Sequence, residues 1–112
     1  MKKNNDVEMT VTQNKYTSNL KDISLEIINK SDSSITFDFP YQLETYVNGS
    51  WYKIPFKNNK GWIMIGIVLK PNESYTQNIS VKQLDFELSP GEYRIVKSFS
   101  EELIVSAEFL VE

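Results

Sequence analysis

Short runs of alternating apolar and polar residues, broken by turn residues about every eight to twelve positions, constrain this chain more than anything else in it. In "DISLEIIN" (22–29), Ile23, Leu25 and Ile27 fall on one face of an extended chain, because successive strand side chains point to opposite sides. "VEMTVTQ" (7–13) repeats the pattern with Val7, Met9 and Val11, and "SITFDF" (34–39) with Ile35, Phe37 and Phe39. Pro40 then removes a ladder donor. "YQLETYV" (41–47) and "SWYKIPF" (50–56) flank Asn48-Gly49, a pair suited to the positive φ angles of a type I′ hairpin turn. "WIMIGIVL" (62–69), "YTQNISV" (75–81), "EYRIVKSF" (92–99) and "LIVSAEFLV" (103–111) continue the series. Only "VKQLDFEL" (81–88) admits a helix, of a turn or two. Seven to nine short strands without helical periodicity predict an all-β, antiparallel two-sheet sandwich.

The chain of 112 residues has room for one domain. Residues 1–6, "MKKNND", are expected to form a disordered tail, and residues 7–112 a single sandwich. The tail carries the charge of a signal-peptide start, yet no apolar stretch follows it. No run of apolar residues is long enough to span a membrane as a helix. A net charge of -3, with Arg94 the only arginine and no basic stripe, argues against nucleic acid.

Two residue types are missing altogether. The chain has no histidine and no cysteine, so it lacks the commonest general base, the thiol nucleophile and the usual transition-metal ligands. Asp32, Asp38, Glu44, Asp85, Glu101 and Glu102 show neither calcium-loop spacing nor a recognisable acid–base pair. No cofactor, metal site or catalytic residue is expected.

"LSPGEYRIVK" (88–97) reads as a structural corner. Pro90 and Gly91 supply the turn, Leu88 caps the core, and Tyr93 is spaced to return its hydroxyl to upstream backbone. Alternation then puts Ile95 with Tyr93 on the inner face and sends Arg94, Val96 and Ser98 outward. Arg94 is expected to pair across the strand with Glu44 or Glu108.

Two segments stand out as possible protein contacts. In "WIMIGIVL" both alternating sets are apolar, whereas an antiparallel strand normally shows one face to water. One reading has Gly66 marking a bend that buries each half differently. The other leaves Trp62, Ile63, Ile65 and Ile67 as an exposed contact patch. In the hairpin at 48–56, Tyr52, Ile54 and Phe56 read as core, with Trp51 half-exposed near the tip, covering a sheet edge or meeting a partner.

Taken together, "LEIINKSDSSITFDF", "YQLETYVNGSWYKIP", "LKPNESYTQNISV", "LSPGEYRIVKSF" and "SAEFLV" resemble the bacterial immunoglobulin-like domain of Firmicutes envelope proteins and lipoproteins. Its most specific marks here are Gly49, Trp51, Tyr52 and Pro55, and the Pro-Gly-x-Tyr-Arg-Ile-Val-Lys run at 90–97. The resemblance implies an Ig-like sandwich, an extracytoplasmic setting and no catalytic residues. Function is accordingly expected through contact with an unknown protein partner, by a monomer or weak homodimer. The alternative is a small proteinase inhibitor presenting "FKNNKGW" (56–62); Ig-like Bacillus inhibitors share the layout but match these motifs less well.

Overall fold

A computed structural model describes residues 6–58, 61, 62 and 64–112. Ten strands follow one another: β1 (Val7–Val11), β2 (Lys15–Tyr16), β3 (Asp22–Asn29), β4 (Ile35–Phe37) and β5 (Gln42–Val47), then β6 (Ser50–Lys53), β7 (Ile67–Leu69), β8 (Ser74–Ser80), β9 (Gly91–Ser98) and β10 (Ile104–Val111). The helical allowance shrinks to a single 3-10 turn, Val81–Gln83. Among the described residues no helix is long and apolar enough to cross a membrane.

One sheet has the order β1-β3-β8 and the other β2-β10-β9-β5-β6, with β4 and β7 as a separate two-stranded piece. All named pairings are antiparallel except β2 with β10, where Leu110 and Val111 run alongside Lys15 and Tyr16. The N-terminal run therefore leaves the first sheet after Val11 and joins the second.

Among the described residues one strand, β2, is added to the nine segments expected, and one expected strand is much shorter. The two-residue β2 is too short to show a period. The eight apolar residues of 62–69 shrink to the three of β7, which pair with only Ile35, Thr36 and Phe37.

Alternation decides the core. Ile23, Leu25 and Ile27 of β3 are fully buried, and so are Leu43 of β5 and Ile95 of β9. Leu84, Leu88 and Leu103 join them from the connections. Burial of this kind is worth roughly 1.5–3 kcal/mol for each large aliphatic side chain. Asn48 (φ 50) and Gly49 (φ 86) make the hairpin turn in the left-handed region, and Asn72 (φ 68) tolerates that region in the turn before β8. Asp6, the last residue of the expected tail, is held to the fold, its carbonyl accepting the Lys30 N–H at 2.7 Å; residues 1–5 lie outside the described residues.

Candidate functional site

The corner motif occupies the crossing into β9. Tyr93 is buried, and its hydroxyl donates to the Ser89 carbonyl at 2.5 Å, four residues upstream. Leu88 is buried beneath the turn, while Pro90 and Gly91 are exposed. The Tyr93 ring stacks on Phe109 of β10 with centroids 5.6 Å apart.

Four residues further along, the same inward face carries Lys97, which is only 1% exposed. Its ammonium donates to the carbonyls of Asp38, Phe39 and Pro40 at 2.6, 3.1 and 3.1 Å. Burial lowers its pKa to about 8, against the opposing pull of the Asp38 charge. Lys97 closes the bend between β4 and β5, where Pro40 interrupts the strand.

The outer face of β5, β6 and β9 carries a connected polar and aromatic group. Arg94 donates to Glu44 at 2.6 Å and lies 4.3 Å from the centre of the Trp51 ring. Gln42 donates to the second Glu44 oxygen, and Tyr46 packs on Trp51 at 5.0 Å. Trp51 is thus half-buried over the hairpin by its own sheet. Tyr52 corrects an expectation: it is 56% exposed, not core. It lies opposite Thr45, which lies opposite Tyr93, so the inward row runs from buried Phe109 and Tyr93 out to the uncovered edge strand.

The apolar run at 62–69 also departs from the buried, sheet-crossing reading. Met64 is 65% exposed, Ile65 51% and Val68 59%. Ile67 is half-buried and Leu69 buried; Ile63 lies outside the described residues. Residues 64–66 have no ladder partner, so nothing draws both their faces inward. A Cβ on Gly66 would stand 3.4 Å from the Thr36 methyl, close against β4.

Trp62 turns away from that exposed stretch into an aromatic cluster, edge-on to Tyr41 at 4.9 Å and to Phe56 at 5.4 Å. With Phe39 and Tyr75 across from it, this cluster walls a groove of about 620 Å³. Burial pushes the Tyr41 phenol up to about 12, so it remains a neutral hydroxyl at physiological pH. A second hollow, bounded by Asp6, Asp32, Glu101 and Glu102, is acidic. Among the described residues, no group of three or more acidic side chains is placed to hold a metal ion.

The model of the bacterial Ig-like domain family matches residues 3–110, nearly the whole chain. The chain belongs to that family. As a member it is an Ig-like domain, and its sequence holds neither histidine nor cysteine. A search of curated proteins found no match.

Among solved structures, the domain is similar to part of a β-glucosidase from Erythrobacter marinus, at 13% identity and TM-score 0.51. That alignment covers 95% of this chain and 15% of the other. A β-glucosidase from Listeria innocua gives 16% identity over 94% of this chain and 16% of that one, with TM-score 0.47. The Pseudomonas fluorescens alkylpurine DNA glycosylase AlkC gives 12% identity over 96% and 30%, with TM-score 0.46. The chain thus spans well under half of each protein. At 13% identity the likeness to the Erythrobacter marinus protein speaks for the fold alone, and fold does not carry function.

The sequence reading of this Ig-like domain missed three features. Lys97 shares the inward register of Tyr93 and Ile95, so alternation itself held the signal. Asn29 ends β3 fully buried; its amide donates to the Ser33 and Leu69 carbonyls, both at 2.9 Å, and its oxygen accepts from Ser31. The aromatic groove draws on residues from 39 to 83, which no local pattern connects.

Proposed function

We propose that this domain is a binding module of a bacterial cell-envelope or secreted protein, docking a protein partner through the exposed apolar segment around Met64, Ile65 and Val68. One observation carries the reading: three large apolar side chains stand more than half exposed within five residues. Exposed apolar groups this close together commonly mark an interaction surface. β7 adds to it, because β4 takes only one of its edges, and a partner strand can add to the other. Trp51, with Arg94 across its ring, is a lesser candidate, since its neighbours already satisfy it.

A photo-crosslinking residue at position 65, introduced in the producing bacterium, tests the contact. A discrete protein adduct is expected there and not from a control at the exposed Glu87; identical patterns would overturn the reading. Sedimentation over a concentration series shows whether the partner is a second copy. Labelling of intact cells with a membrane-impermeant amine reagent tests the extracytoplasmic setting, which a wholly protected protein would contradict. The inhibitor alternative draws no support from residues 56–62, whose aromatic ends pack on each other and on Tyr41.

A further inference from the structure

The groove beside Trp62 differs in chemistry from the docking segment. Its lining is rich in aromatics, with the Tyr41–Trp62 pair and the Phe39–Tyr75 pair, all half-buried. Gln77, Asn78 and Gln83 also line it. Rings flanked by a few convergent polar groups make a ligand site rather than a packing defect.

Charge narrows the ligand. Lys57 and Lys82 line the groove and no carboxylate does, although the chain has 15 acidic residues and a net charge of -3. Neither lysine makes an ion pair among the described residues. Asp22 already accepts from Asn78 at 3.2 Å.

Gln77 supplies an independent sign. It is 7% exposed and its amide nitrogen donates to the Phe39 carbonyl at 2.9 Å, which fixes the orientation of the group. Its oxygen is the one buried side-chain polar atom without a hydrogen-bond partner among the described residues. An unmet acceptor costs about 1–3 kcal/mol, a cost that a donor supplied from the groove would recover.

We infer that the groove is a binding site for an acidic saccharide. The sugar's C–H face packs on the electron-rich ring faces of Trp62 and Tyr75. Its hydroxyls exchange hydrogen bonds with the amides, each of which both donates and accepts. Its carboxylate or other acidic group meets Lys57 and Lys82. A nucleic-acid strand fits less well, because two lysines cannot follow a phosphate backbone. This site is separate from the protein contact at Met64, Ile65 and Val68, and either can fail alone.

Titration of the whole chain with a short oligogalacturonate, followed by side-chain amide and indole NMR signals, tests the inference. Saturable shifts are expected at Gln77, Asn78, Gln83 and the Trp62 indole, weakening as salt is raised. The double change Lys57→Ala/Lys82→Ala lies at the surface and should weaken binding about tenfold or more, the equivalent of a lost charge contact. Trp62→Ala should abolish it, and Ile65→Lys should leave it intact. No saturable shift in the groove overturns the assignment. So does equal binding of a neutral cello-oligosaccharide, or tighter binding of an oligothymidylate at the same amides.

Discussion

Strand β9 and the segment 62–69 are both runs of eight residues, the first half polar and the second apolar throughout, and they end in opposite states. β9 is laddered on both edges, to β5 and to β10, and its inward residues Tyr93, Ile95 and Lys97 are buried whatever their polarity. The 62–69 run reaches a ladder over three residues only, and leaves Met64, Ile65 and Val68 in solvent. Burial here follows the number of paired neighbours rather than the apolarity of the strand. A lysine is buried in one place and an isoleucine exposed in the other.

The contrast can be broken at its strongest link first. Asn29 holds the Leu69 carbonyl and so ties the end of β7 to β3. Asn29→Leu should cost about 3 kcal/mol, because several buried backbone groups lose their partner at once. Denaturant unfolding measures the loss, and hydrogen exchange should show faster opening at 67–69 than in β9. Uniform acceleration throughout would mean that the β7 region has no separate anchor.

Lys97→Met comes next, at about 2 kcal/mol, since three carbonyls lose a charged donor while an expensive buried charge is also removed. The pH dependence has a definite sign. Folding lowers the Lys97 pKa from 10.5 to about 8, so between those values the unfolded chain binds more protons than the folded one. Stability from this group therefore rises as pH climbs from about 8 towards 10.5, and is absent below that window. The rise should appear in the wild-type chain and vanish in Lys97→Met; equal slopes would mean that Lys97 titrates normally.

Smaller effects sharpen the comparison. Tyr93→Phe should lose about 1 kcal/mol, the value of one hydroxyl bond to the Ser89 carbonyl, and an unchanged midpoint would remove the corner's role. Val68→Lys should move stability by less than about 0.5 kcal/mol, as an exposed position does, while reducing any partner adduct formed at position 65. A loss as large as that of Tyr93→Phe would show that 62–69 is packed like β9 after all.

Legibility in the sequence followed the same division. Period-two runs marked the inward faces of β1 and β3 residue by residue, and Tyr93 and Ile95 but not Lys97 of β9, while Asn48-Gly49 marked the hairpin. Tyr52 was misplaced because alternation assigns a face but does not say how far the opposite sheet extends. The 62–69 run was undecided, since a strand with two apolar faces satisfies either outcome until its neighbours are known. Met64 and Val68 escaped notice as contact residues for that reason.

Sequence alone therefore determined the all-β sandwich, the turns and the corner around Tyr93, all properties of neighbouring residues along the chain. Tertiary structure alone decided that Lys97 is buried beneath Pro40, that Ile65 is exposed, and that Trp62 meets Tyr75 across a groove. Those outcomes depend on contacts between residues far apart in sequence, where the energy of a side chain is set by which strands surround it.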